Sequence, residues 1–281
     1  MNKKIGIILL GHRDYQLDVA LSMAREAAEG LRQRGWDVQF EERCLTDPLQ
    51  ARRAAIDLVG KDLAGVVYFL GTWIECPVAV SALRELEHLP MAVWAFPQFI
   101  NDEGNKESTG SLVSLSVLSG AMRRMGYVFQ QIIGMPGDGD ALQTATRFCR
   151  VAAARLALKR ARLGMVGFMS MGMYPGSYDH VLVRRAIGPE VVPLDTYTLI
   201  ERMKQVEADA VECEQQRLAE LADVMEDARA NIEDVARMTL ALRSLCEEHQ
   251  LDGVNVKCQY ELSQEYGCVA CVPLSALADR G

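Results

Sequence analysis

Apolar positions along the first half of the chain follow two alternating periods. The stretches Lys4–Leu10, Leu63–Leu70 and Met91–Phe96 are nearly unbroken apolar runs, as expected of short strands buried on both faces. Between the first two, Leu17, Leu21, Ala24, Ala28 and Leu31 are spaced four and three apart, one face of a helix that Gly35 ends. The alternation predicts further strands over Asp37–Arg43 and Tyr127–Met135. It predicts helices over Pro48–Val59, Pro77–Leu86, Leu112–Met125 and Ala141–Lys159, the last with a stripe of Leu142, Ala145, Phe148, Ala152 and Leu156. Five strands with intervening helices imply a doubly wound parallel sheet.

Arg160-Ala161-Arg162 forms a short basic junction, after which the alternation resumes. Met165–Met169 reads as a buried strand, and the glycine- and serine-rich segment Ser170 to Ser177 as a loop. Ser177 is placed to cap a helix over Val181–Ile187, which Gly188-Pro189 stops, and Val191–Asp195 reads as the next strand. Such a β-loop-α-β unit presents backbone N–H groups and hydroxyls at the carboxyl end of a strand, a place suited to an oxygen-rich ligand. A helix over Thr198–Val206 and one or two long amphipathic helices over Glu212–His249 follow, with Leu218, Leu221, Met225, Ala228, Ile232, Val235, Leu242 and Leu245 along one face. Asp252–Tyr260 and Gly267–Val272 are predicted strands, and Pro273 begins a final helix.

Charge and composition narrow the functional classes. A net charge of -8 with no basic stripe argues against a nucleic-acid partner held through phosphates. An apolar content of 49% with 24% charged residues is that of an ordinary soluble protein. No apolar segment reaches the ~18 residues that span a bilayer. Two lysines precede the first apolar run, but Gly11-His12-Arg13-Asp14 cuts it too short for a signal peptide, so a cytoplasmic protein is expected. The eight cysteines then read as buried thiols. Cys268 and Cys271 have redox-motif spacing, yet the predicted strand points them to opposite faces, and no second pair completes a zinc site. The acids Asp223, Glu226, Asp227, Glu233 and Asp234 read as a solvated helix face. His12, His88, His180 and His249 lack metal-ligand spacing; His180 reads as a helix-entry residue, and His88 and His249 as exposed. The segment after the first strand is not G-x-G-x-x-G, and Gly134 to Gly139 lacks the Lys-Ser/Thr of a P-loop.

In a doubly wound sheet, ligands bind beyond the carboxyl ends of strands. His12, Arg13 and Asp14 fall there after the first strand, Thr72 and Trp73 after the third, and Pro97 and Gln98 after the fourth. For any one of them an ordinary polar loop is the simpler account. Trp73 stands apart, because an indole in such a loop needs a partner or a ligand face, and aromatic rings stack on the apolar face of sugars. Gln259, which carries both a donor and an acceptor, ends the Asp252–Tyr260 strand and suits a sugar hydroxyl.

Ser170-Met171-Gly172-Met173, then Gly176-Ser177, a helix, and Val192-Pro193-Leu194-Asp195 together resemble the second domain of the L-fucose isomerase and L-arabinose isomerase family. The resemblance implies two tandem doubly wound, Rossmann- or flavodoxin-like domains, 1–160 and 161–281, the second incomplete and the family's C-terminal barrel absent. It implies an aldose–ketose isomerase working through an enediol, with a divalent metal, usually Mn²⁺, that polarises the sugar oxygens. Its metal ligands (a glutamate, an aspartate and a histidine) and its acid/base groups are expected beyond Gly281, so this chain alone is expected to be inactive. Substrate contacts implied for this chain are Arg13 and Trp73, lent to a neighbouring subunit, together with Ser170, Met171 and Gln259; Ser177 adds a hydroxyl to the Ser170 loop. A homo-oligomer, trimer or hexamer, is expected. The alternative is a non-catalytic cytoplasmic sugar-binding or sensing protein, since tandem doubly wound domains also close around ligands as a hinge. An oxidoreductase is disfavoured by the lack of a nucleotide fingerprint.

Overall fold

The first apolar run forms β1 (Lys4–Leu10), whose side chains alternate between two faces and so feed two separate cores. In the computed structural model, which describes residues 2–101, 103–168, 178–221, 225–226 and 231–280, the chain divides into two units, Met1–Ala157 and Leu158–Gly281. After β1 the first unit continues with α1 (Leu17–Arg32), β2 (Asp37–Phe40), α2 (Pro48–Leu58), β3 (Gly65–Leu70), α3 (Cys76–Glu85) and β4 (Met91–Ala95). A hairpin of β5 (Phe99–Ile100) and β6 (Lys106–Glu107) precedes α4 (Ser111–Arg124), β7 (Phe129–Ile133) and α5 (Gly139–Arg160). The five long strands pair in parallel in the order β2-β1-β3-β4-β7, the doubly wound arrangement of a Rossmann-like α/β fold.

Ile7 and Leu9 pack with Phe69, Trp94 and the inner faces of α1 and α5. Ile8 and Leu10 pack on the other face with Tyr68, Val93 and helices α2, α3 and α4. Full burial of one such side chain contributes roughly 1.5–3 kcal/mol, which is why the apolar runs could be read directly as strands. The indole N–H of Trp94 donates to the Gly134 carbonyl at 3.0 Å, so this large buried ring leaves no donor orphaned. Asp47 caps α2 by accepting from the Leu49 and Gln50 N–H groups, and Pro48 opens the helix.

Between β4 and α4 the apolar pattern predicts no element, yet the chain forms the β5–β6 hairpin there. Its turn is built by Asn101, whose Oδ1 accepts from the Glu103 and Asn105 N–H groups, and by Gly104 at φ +82°. That side-chain hydrogen bonding leaves no trace in apolar periodicity.

The second unit contains β8 (Arg162–Val166), α6 (His180–Ala186), β9 (Glu190–Leu194), α7 (Thr196–Lys204), α8 (Ala208–Leu221), α9 (Ile232–His249), β10 (Gly253–Val256), a π turn (Glu261–Glu265) and α10 (Cys271–Ala278). Its strands pair in parallel in the order β10-β8-β9. Val166, Leu199, Met203, Met238, Leu242 and Leu245 are buried together in its main core. By contrast α6 buries none of its residues, and Val181 and Leu182 are exposed. No helix among the described residues is long and apolar enough to cross a membrane.

Several boundaries differ from those read in the sequence. β8 starts and ends earlier than Met165–Met169, because Gly167 at φ +76° turns the chain out of the sheet; Met169 lies outside the described residues. The cap of α6 is Asp179, which accepts from the Leu182 N–H at 2.9 Å, and His180 opens the helix; Ser177 lies outside the described residues. Gly267–Val272 is not a strand. Gly267 has φ +80°, the Cys268 N–H donates back to the Leu262 carbonyl at 2.9 Å, and α10 already starts at Cys271. Short apolar runs do not distinguish strand from buried helix entry. Cys271 and Cys213 are consequently exposed thiols rather than buried ones, while burial pushes the Cys268 thiol up to about 11. His249 is half-buried, and its carbonyl accepts from Arg162 Nε.

Candidate functional site

The winding of the five-stranded sheet reverses between β1 and β3: the chain leaves β1 toward β2 on one side and builds β3, β4 and β7 on the other. The loops leaving β1 and β3 lie side by side at this reversal point, outside the carboxyl ends of the strands, where ligands of open α/β sheets bind. Gly11 lets these loops approach each other. A Cβ there would come within 2.5 Å of Cys44 Sγ and 3.1 Å of Thr72 Oγ1. The buried Thr72 hydroxyl stitches the loops together, accepting from the His12 N–H at 2.8 Å and donating to the Trp73 carbonyl at 2.7 Å.

Trp73 is fixed through its main chain by the start of α4. Its N–H donates to the Thr109 carbonyl at 2.8 Å, and the next N–H, of Ile74, donates to Ser114 Oγ at 2.8 Å. Ser114 Oγ in turn donates to the Thr72 carbonyl, and Ser111 Oγ donates to the Leu70 carbonyl while accepting from the Phe96 N–H at 3.0 Å. Both serines are buried, so all these strand-end backbone groups find partners without water. Gly110, at φ +81°, passes against the Trp73 main chain, where a Cβ would lie 2.9 Å from Trp73 Cβ and 3.2 Å from its N.

Around this anchored tryptophan the β1 loop gathers two further rings. His12 meets Trp73 edge-on with centroids 5.3 Å apart, and Tyr15 lies nearly parallel to it, with centroids 6.2 Å apart and planes at 23°. The Asp14 N–H donates to His12 Nδ1 at 3.3 Å, so the neutral ring carries its proton on Nε2. Trp73 is half-buried whereas Trp36 and Trp94 are buried, which leaves it as the indole with an accessible face. Arg13 is exposed beside these rings and has no ion pair or hydrogen bond among the described residues. Burial pushes the nearby Cys44 thiol up to about 12, so it offers no nucleophile. The loops thus supply a ring platform rimmed by N–H donors, an arrangement suited to a polyhydroxylated ligand with one apolar face.

The carboxyl edge of the second sheet has its own reversal, between β8 and β10. Gly167 leaves β8 there, and a Cβ on it would lie 3.0 Å from Lys257 Cβ and 3.1 Å from Thr196 Oγ1. Lys257, Cys258 and Gln259 follow β10, and Gln259 is half-buried. Next comes Tyr260 at φ +67°, ψ -82°, with the Glu261 N–H donating to the Gln259 carbonyl at 3.1 Å. This is a γ-turn of the rare, strained positive-φ type, and a π turn continues directly from it. Strained backbone of this sort persists where surrounding structure enforces it, often at ligand sites. Lys257 Nζ lies 2.6 Å from Glu261 Oε1, and that hydrogen bond keeps the Glu261 carboxyl below its usual range.

Arg13 and Trp73 therefore fall on adjoining loops at one sheet edge, and Gln259 falls at the corresponding edge of the other unit's sheet. Ser170 and Met171 lie outside the described residues. Tyr15, Ser111 and Ser114 had not been singled out from the sequence. Only Tyr15 left a signal there, as a second aromatic residue in the loop after β1. Among the described residues no three of His, Cys, Asp and Glu gather as ligands for a metal ion.

No family model matches this chain. Among curated proteins, sulfoquinovose isomerase of Alkalicoccus urumqiensis is 21% identical over 201 residues, covering 72% of this chain and 45% of that relative. The chain thus spans less than half the length of the relative it matches. The similarity supports a relationship to a sugar isomerase.

Proposed function

We propose that this chain supplies sugar-contacting surfaces to an aldose–ketose isomerase of the L-fucose isomerase type. The observation that carries this reading is the His12–Tyr15–Trp73 ring cluster at the reversal point of the first sheet, held by buried hydroxyls. In this reading the indole face of Trp73 takes the C–H face of a pyranose. Arg13 and the Nε2–H of His12 donate to oxygens around its rim. Arg13 and Trp73 are read, by resemblance, as lent to a neighbouring subunit's site, and Gln259, Ser170 and Met171 as substrate contacts of the second unit, which we read as a second doubly wound domain on the strength of its β10-β8-β9 winding.

Among the described residues no ligand set for the family's Mn²⁺ assembles. What these side chains do is bind and orient. The cytoplasmic location and the trimeric or hexameric assembly belong to this proposal as well. Its substrate class includes the sulfonated hexose that names the relative, for which Arg13 is a suitable cation.

Calorimetric titration with sulfoquinovose and with L-fucose tests the reading. We expect at least one of them to bind, and Trp73→Ala and Arg13→Ala each to weaken it by about tenfold or more, ~1.4 kcal/mol. No binding at millimolar sugar, or binding untouched by both variants, contradicts it. Ketose formation in the same samples with Mn²⁺ added would contradict the expectation that this chain alone is inactive.

A further inference from the structure

A cavity of about 1250 Å³ lies in the first unit, at the opposite edge of the sheet from the ring cluster. It opens where β4 begins at Met91 and β7 begins at Phe129, so it faces the amino ends of these strands. Arg84, Arg147 and Arg155 line it, opposed by the single carboxylate of Glu87. The protein as a whole has a net charge of -8, so this local excess of cations runs against its overall charge.

Arginines elsewhere are divided between paired and unpaired ones. Arg25, Arg52, Arg162, Arg202, Arg217 and Arg237 each pair with a carboxylate. Arg84, Arg147 and Arg155 have neither an ion pair nor a hydrogen bond among the described residues. Arg84 sits in the last turn of α3, where the helix dipole alone favours a cation. No such account covers Arg147 and Arg155, which project from α5 before its final turn.

The helix fixes the spacing of the two. Arg147, Val151 and Arg155 follow one another at intervals of four residues and so share a face, with the arginine positions about 12 Å apart along the axis. Guanidinium groups bind phosphoryl oxygens bidentately, and two of them on long stems from one helix face can serve more than one phosphoryl group. The lining also carries an apolar part, with Phe129, Phe148 and Val151, beside the polar Gln130 and Thr144. An inorganic anion would leave that surface unused, whereas an organic phosphate would cover it.

We propose that this cavity binds an organic molecule carrying two or more phosphoryl groups, at a site separate from the sugar-contacting loops. Titration calorimetry of the 281-residue chain at low ionic strength, with ATP and AMP as probes, tests it. ATP binds, AMP binds at least about tenfold more weakly, and the double variant R147Q/R155Q loses at least about tenfold in ATP affinity. Arg150→Gln serves as a control, since Arg150 is an exposed arginine of α5 that does not line the cavity, and it keeps wild-type affinity. Exposed Arg→Gln changes retain a good helix former, and an unchanged circular dichroism spectrum verifies that α5 persists. The proposal is overturned by absent ATP binding, or by equal losses in R150Q and R147Q/R155Q, which signify diffuse attraction. It is also overturned if ATP fails to bind while R147Q/R155Q changes the sedimentation coefficient, which would assign the cavity to contact between copies of the chain.

Discussion

β3 in the first unit is buried at every position from Gly65 to Leu70, whereas β9 in the second has no fully buried residue. The two sheets wind alike around their reversal points, yet they are covered differently. Helices bury both faces of the five-stranded sheet, while in the second unit the core residues come largely from α7, α9 and the segment through α10, and α6 buries nothing. The edges of the two sheets follow suit. In the first, Thr72, Ser111 and Ser114 hold the loops through buried hydrogen bonds; in the second, an ion pair and a strained turn shape the chain after β10. A sheet packed on both faces can position a ring through uncharged hydroxyls alone, which is the kind of preorganisation a binding platform needs.

The sharpest way to break this comparison is through the cores. Phe69→Ala should cost about 3–5 kcal/mol, whereas Leu194→Ala, at a half-buried strand position, should cost about 1–2 kcal/mol. Urea unfolding followed by circular dichroism measures both, and equal losses would contradict the difference in coverage.

Glu214 is the exception that sharpens the contrast, a buried carboxylate within the less covered unit. Burial pushes its carboxyl up, but hydrogen bonds from Arg217 and Arg280 outweigh that and leave it below its usual range. A carboxyl lowered in the folded state contributes stability above its unfolded value and loses that contribution as pH falls through the folded one. Glu214→Gln should therefore cost about 2 kcal/mol at neutral pH, and the difference from wild type should shrink in acid. Chemical denaturation at pH values above and below the carboxylate range checks it.

Smaller effects are expected at the two edges, with opposite signs. Gly110→Ala forces a side chain into φ +81° against the Trp73 main chain and should cost about 1–2 kcal/mol, with a shift in tryptophan emission. Tyr260→Gly relieves a positive-φ residue and should raise stability by up to about 1 kcal/mol. Melting temperatures of the two variants should move in opposite directions.

How much of this was legible follows from where the information resides. β1 and the start of α1 matched their apolar pattern to the residue, because burial on both faces and helical spacing are written locally. Trp73 was legible as an aromatic residue at a strand end. Its supports were not: Ser114 lies 40 residues from the Ile74 N–H it accepts, and nothing in serine's local spacing announces a tertiary bond. The run at Gly267–Val272 misled for the converse reason, since its apolar residues are indeed buried at Cys268 and Ala270, but in a turn leading into α10. The γ-turn at Tyr260 places a bulky residue where a glycine would be expected, so no local pattern marks it.

The most direct test of the sugar-contacting platform is a fluorescence titration at tryptophan. Trp36 and Trp94 are buried, so a sugar seated on the ring platform should change the emission of Trp73 alone. The account predicts a saturable change with sulfoquinovose or L-fucose in the wild-type chain that disappears in Trp73→Ala. A change of the same size in Trp73→Ala, or none in either protein, would contradict it.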